Sequence, residues 1–213
     1  MRRNPSLLRQ RNPDAFIVVQ HKIQNHRPSA FAANGWHEYK RGFGAYDGPE
    51  YWAGLDFLHN VTAGAKYTLV TAYCFTGYGH SWRYYRSYKV AGEALGYRHS
   101  GWLSSDRNVL ERKYGDKRHY LIPGTTFSTR DHSRAASERG SACAQEDGGG
   151  WWFNEDPKLE CAYRCLNCQK QYYLSAEKRN FEKVGATMMA LVFDEPWDSS
   201  RDPFFHDPDW RGF

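Results

Sequence analysis

Long apolar runs are missing from this sequence of 213 residues. No stretch of 18 apolar residues occurs, the length that a membrane-spanning helix requires. Few windows place apolar residues at i, i+3, i+4 and i+7, so long amphipathic helices are not expected. Excess charge is small as well. The 29 Lys+Arg and 24 Asp+Glu leave +5, and the basic residues are scattered rather than gathered into the stripe a nucleic-acid reader needs. No internal repeat is present. The first eleven residues, MRRNPSLLRQR, hold four arginines, but no apolar run of signal-peptide length follows them. With the apolar segment AFIVVQ (15–20) so near the edge, the chain reads as beginning inside a longer protein. The nine histidines form no Ser/His/Asp set, and no carboxylate pair stands out. His59, His80, His119 and His132 therefore receive no catalytic role, and His59 reads as a satisfied structural residue.

What the sequence has in quantity is aromatic: 8 Trp, 15 Tyr and 12 Phe, beside 19 Gly. That balance predicts a loop-rich domain packed by large rings rather than by Leu/Ile/Val layers. One domain over 15–195 is expected, after an N-terminal extension (1–14) and before an acidic, aromatic tail (196–213) that reads as loosely packed. Strands are expected at 15–23, 66–73, 84–90 and 185–193. In the third, alternation sets Tyr85, Ser87 and Lys89 against Arg86, Tyr88 and Val90. A further strand is expected at 119–129, broken at Pro123-Gly124. A short helix ending near Gly64 fits EYWAGLDFLHNVT, and 90–97 reads as a turn. Residues 130–160 show almost no regular pattern, which points to a functional loop.

Five cysteines are present: Cys74, Cys143, Cys161, Cys165 and Cys168. The crowding of the last four suggests metal in a reducing compartment and disulfides in an oxidising one. The spacing C-x3-C-x2-C from Cys161 to Cys168 matches one way of holding a four-iron cluster, but too few residues follow to enclose a cofactor. Zinc on these thiolates, with Cys143 as fourth ligand, is a rival. A redox pair at Cys165 and Cys168 is another, though no βαβ pattern surrounds it. Asn60-Val61-Thr62 is a glycosylation sequon compatible with secretion.

Five blocks follow one another in a fixed order. Trp36, Tyr39, Lys40, Gly42, Phe43 and Gly44 form W-x-x-Y-K-x-G-F-G. Gly48, Tyr51, Trp52, Gly54, Leu55, Asp56, Leu58 and His59 form G-x-x-Y-W-x-G-L-D-x-L-H. Then come F-S-T-x-D (Phe127 to Asp131), C-A with G-W-W (Cys143, Ala144, Gly150, Trp151, Trp152), and C-x4-L-N (Cys161, Leu166, Asn167). This series resembles the fibrinogen C-terminal domain, the globular module of fibrinogen chains, ficolins, tachylectins and angiopoietins, over about residues 15 to 195. The resemblance implies an α+β fold: a twisted, mainly antiparallel sheet with short helices and long loops. It also implies a non-enzymatic, secreted, extracellular binding module for glycans or cell-surface ligands, lectin-like, in innate defence or adhesion. The alternative is a receptor- or matrix-binding signalling module without lectin activity. A metal or redox protein built on the cysteine cluster is the remote alternative. No nucleic-acid partner and no membrane insertion are expected, and oligomers would form only through segments outside this chain.

The resemblance also assigns residues. Asp131 matches the first calcium-binding aspartate of F-S-T-x-D; Ser133 stands at the second, with Arg134 beside it, so calcium would have lost a carboxylate. Cys143 and Cys161 match the family disulfide, with DPKLE (156–160) read as an insertion. Cys143, Trp151, Trp152, Cys161 and Ala162 match the pocket that holds acetylated sugars in lectin-like members, Ala162 replacing a histidine. The family's later G-I-x-W-x-x-W is replaced by LSAEKRNFEKVG (174–185). The resemblance leaves the pairing of Cys74, Cys165 and Cys168 open.

Overall fold

The computed structural model describes residues 16–23, 28–75, 79–103, 121, 123–133, 139–154, 161, 165–169 and 184–193. The expectations for 1–14, 196–213, His119, Ala162, the DPKLE insertion and most of LSAEKRNFEKVG lie outside these residues. The described elements are β1 (Phe16–Ile23), α1 (Ala30–Ala33), α2 (Trp36–Arg41), β2 (Phe43–Gly44), β3 (Glu50–Trp52), α3 (Leu55–Gly64), β4 (Tyr67–Phe75), β5 (Gly79–Val90), a 3-10 turn (Glu93–Leu95), β6 (His99–Leu103), β7 (Phe127–Thr129), β8 (His132–Ser133), α4 (Arg139–Asp147), β9 (Trp151–Trp152) and β10 (Val184–Phe193). Seven strands form one antiparallel sheet in the order β2-β3-β1-β10-β4-β5-β6. A smaller antiparallel sheet runs β8-β7-β9. With short helices beside antiparallel sheets, the expected α+β class holds.

The last strand, β10, lies between β1 and β4. Its sequence, VGATMMALVF, carries apolar residues on both faces, and residues 186–192 are all buried. Met189 and Leu191 join the main core; Met188, Ala190 and Val192 join a second cluster with Val70, Ala72 and Trp82. Rings are the largest group in the main core, 12 of its 25 described buried residues, as the composition predicted. Tyr39, Trp52, Tyr67, Tyr85, Tyr88, Tyr97, Phe127, Trp151 and Trp152 are all at most 2% exposed.

Two expectations are corrected here. In β5, Tyr85 does not share a face with Ser87 and Lys89. It lies in the main core with Tyr88 and Val90, whereas Ser87 and Lys89 are exposed. The register of β5 shifts against both neighbours, and Ser87 takes φ 51° within that irregularity. An extra residue in a strand resets alternation from that point on. Within 130–160 the chain forms α4 and two short strands rather than one irregular loop. The residues α4 buries are Gly140, Cys143, Ala144 and Asp147. Their spacing is helical, but the stripe is of small and polar residues, so an apolar-periodicity reading passes over it. Of the strand expected over 119–129, only Phe127–Thr129 is strand among the described residues.

Candidate binding region around the second sheet

Helix α2 organises this region. Trp36, Tyr39 and Lys40 sit three and four residues apart, which puts them on neighbouring faces of one turn. The Trp36 indole N–H donates to Glu93 at 3.0 Å, and Lys40 pairs with the same carboxylate. The Tyr39 hydroxyl donates to the Phe31 carbonyl at 2.7 Å and accepts the Gly150 N–H at 2.8 Å. Burial pushes the Tyr39 phenol well above its ordinary range, so it stays protonated. At Gly150 a Cβ would lie 2.9 Å from Tyr39 Cζ and 2.9 Å from Thr129 Cγ2. Only glycine fits there.

The β7–β8 hairpin ties the two short helices together by charge. Arg130 donates through its guanidinium to the carbonyls of Ala32 and Ala33, at the C-terminal end of α1. Asp131 accepts the Trp36 backbone N–H at 3.0 and 3.3 Å, at the start of α2, and the Thr129 hydroxyl at 2.6 Å. Cation at a C-terminus and anion at an N-terminus are the favourable arrangement for peptide dipoles and orphan backbone groups. Gly35 permits this approach, since a Cβ there would meet Asp131 Oδ2 at 2.3 Å. Partial burial pushes the Asp131 carboxyl up, but the Thr129 and Trp36 hydrogen bonds and the Arg130 charge outweigh it and hold it below its usual value. Ser133 Oγ faces Ser128 Oγ at 3.2 Å.

Both residues expected to hold calcium thus have protein partners: the Asp131 oxygens meet N–H and O–H donors, and Ser133 turns to a serine. Among the described residues no group of three or more His, Cys, Asp or Glu side chains gathers.

Helix α4 presents Cys143 to Cys161, and the two are joined, Cα to Cα 5.4 Å. Cys165 and Cys168 form a second disulfide, Cα to Cα 5.2 Å. Cys74 is the free cysteine, on β4. With all four clustered cysteines oxidised, none offers the thiolate a metal needs. Cys165 and Cys168 are 5% and 0% exposed; a catalytic redox pair instead keeps a reactive, accessible sulfur. Their turn is fixed from the sheet: the Lys22 ammonium donates to Asn167 O at 3.1 Å and Cys168 O at 2.8 Å, and Thr187 Oγ1 donates to Leu166 O at 3.1 Å.

Trp151 and Trp152 are at the heart of the core, at 0% and 2% exposure. Trp152 packs edge-to-face on Phe127 and Trp151, and its indole N–H donates to Tyr97 O at 2.8 Å. Neither ring presents a plane to solvent. Asn60 is exposed on α3, its amide donating to Asp56 O at 2.8 Å. His59 Nδ1 donates to Val90 O at 2.8 Å, a structural contact as expected. The His80 side chain is outside the described set. Sequence reasoning missed Arg130, which donates to backbone carbonyls, and Gln20, whose amide donates to the Thr187 hydroxyl and the Leu166 carbonyl, and no motif marks such contacts.

The sequence pattern of the fibrinogen beta and gamma chains' C-terminal globular domain matches residues 11–188. The chain belongs to this fibrinogen C-terminal domain family. Angiopoietin-1 of Sus scrofa is 30% identical over 148 residues, covering 67% of this chain and 26% of its own length. Angiopoietin-2 of Rattus norvegicus is 30% identical over 166 residues, covering 78% of this chain and 29% of its own. The chain therefore spans under a third of these relatives. Among solved structures, the fibrinogen-like globe domain of human ANGPTL6 superposes with a TM-score of 0.63 at 22% identity, over 85% of this chain and 79% of that one. Lamprey fibrin D-dimer, complexed with a Gly-His-Arg-Pro-amide peptide, gives 0.62 at 23% identity, over 85% of this chain and 62% of that one. At such identities the superpositions establish the fibrinogen fold alone.

Proposed function

We propose that this fibrinogen-family chain is an extracellular, non-enzymatic domain that binds a protein ligand, a receptor or matrix component, as a signalling or adhesion module. The observation that carries this is the similarity to angiopoietins together with the burial of Trp151 and Trp152. Sugar recognition generally uses aromatic planes open to the ligand, and the two rings assigned to an acetylated-sugar pocket are closed into the core. Two disulfides support an oxidising compartment. Asn60, exposed and within a sequon, is the proposed glycan attachment site. The Arg130–Asp131 clip does for the β7–β8 hairpin what a cation would do, so binding is proposed to be independent of calcium.

The test is retention on N-acetylglucosamine beads and on immobilised receptor ectodomains or matrix proteins, each with calcium and with chelator. The proposal expects retention on a protein surface, unchanged by chelator, and none on the sugar beads. Calcium-dependent retention on the sugar beads would overturn it in favour of the lectin reading.

A further inference from the structure

The face of the seven-stranded sheet turned away from the main core carries a hollow of about 530 Å³. Nothing proposed above uses it. Its floor follows from strand register. Ile23, Ala186 and Cys74 are cross-strand partners in one row, and His21, Met188 and Ala72 in the next. Directly paired residues share a face of the sheet. In these rows Ala72, Cys74 and Ala186 are short, whereas Ile23, His21 and Met188 are long, and the difference in length is the depression.

One wall is aromatic and held in place. Residues 46–49, between β2 and β3, border the hollow, and the Tyr46 side chain there is 65% exposed. His21 donates from Nε2 to Tyr46 O at 3.0 Å. The Tyr51 ring lies edge-on to Tyr46 at 5.6 Å and stacks on His21 at 5.8 Å. The charged side chains along the described lining are few. Lys22 brings no charge to the hollow, because its ammonium bonds Asn167 and Cys168 carbonyls on the opposite face. Asp47 is exposed and has no ion-pair partner among the described residues. It leaves a negative charge at the rim, one residue along the chain from Tyr46.

We infer that this hollow binds small apolar molecules that carry a cationic group. The volume suits a small-molecule ligand. The apolar body would lie on Cys74, Ala186 and Met188, and the cation would sit at the rim that Tyr46 and Asp47 share, where a carboxylate and a ring quadrupole both attract it. An anionic molecule of equal size meets repulsion at the same rim. The inference is independent of the protein-ligand reading, which uses none of the residues that line this hollow.

The test uses two dyes on the intact chain: thioflavin T, cationic and apolar, and anilinonaphthalene sulfonate, apolar but anionic. Thioflavin T is expected to bind more tightly than the anionic dye and to slow alkylation of Cys74 by iodoacetamide. Asp47→Asn, at an exposed position that leaves folding intact, should weaken thioflavin T binding about fivefold. Ala186→Phe should abolish binding by filling the floor. If Ala186→Phe does not fold, Asp47→Asn and Cys74 protection decide the question. Tighter binding of the anionic dye, equal binding by Asp47→Asn, unprotected Cys74, or no binding of thioflavin T would each overturn the inference.

Discussion

The Tyr39 hydroxyl accepts the backbone N–H of Gly150 at 2.8 Å, joining the turn of α2 to the strand that carries both buried tryptophans. Tyr39→Phe removes that acceptor and leaves a buried N–H unpaired, which costs about 1–3 kcal/mol. Gly150→Ala drives a methyl into Tyr39 and Thr129 and should cost at least as much. Urea unfolding followed by tryptophan fluorescence checks both. A midpoint unchanged in either variant would mean this junction contributes little.

Asp131→Ala should lower stability by about 1 kcal/mol, the usual cost of losing a helix N-terminal acceptor. The carboxyl is held below its ordinary value in the folded chain, so its contribution is complete above the unfolded pKa of about 4. That contribution is lost as pH falls through the lower folded value. Thermal melts between pH 6 and pH 3, for wild type and Asp131→Asn, should converge at the acid end. Added calcium should leave the wild-type melting temperature unchanged; a rise with calcium would show a cation site at this hairpin.

Lys22 predicts a pH effect of the same sign at the alkaline end. Burial lowers its pKa to about 8, against the raising influence of Glu50. Between about pH 8 and 10 the unfolded chain keeps a proton that the folded chain has released, so stability rises with pH in that window. Above about pH 10 tyrosines ionise in the unfolded chain, while Tyr39, Tyr88 and Tyr97 are held protonated in the fold, and stability falls again. Chemical denaturation at pH 7.5, 8.5 and 9.5 should show the rise in wild type and not in Lys22→Met.

The disulfides give a fourth expectation. Intact mass after alkylation without reductant should add one label, on Cys74, and after reduction five labels. Opening the Cys143–Cys161 loop, 18 residues in separation, should cost about 3 kcal/mol, and the three-residue Cys165–Cys168 loop about 2 kcal/mol or less. Stoichiometric zinc or iron on free thiols would contradict the assignment.

Much of this fold is legible in the residues because rings and glycines leave position-specific marks. The W-x-x-Y-K block is readable since Trp36, Tyr39 and Lys40 each bond a fixed partner, and Gly150 because no side chain fits beside Tyr39. The insertion of β10 between β1 and β4 is not legible, since strand order depends on contacts far apart in sequence. Nor is the bulge near Ser87, whose residue type fits a regular strand equally well. At the candidate site, Cys143 and Cys161 were visible through family spacing. The burial of Trp151 and Trp152 was not, because an aromatic pair beside glycines reads the same way in a core and in a pocket. Cys165–Cys168 escaped because a short C-x-x-C admits metal, redox and structural readings alike.

The most direct test of the central claim is binding of the fluorescently labelled domain, multimerised on streptavidin, to intact cells that bind it. Cells are pretreated with trypsin, or N-acetylglucosamine is added as competitor. A protein-binding domain predicts that trypsin removes binding and the sugar leaves it unchanged. Binding that survives trypsin and is abolished by N-acetylglucosamine would contradict the account.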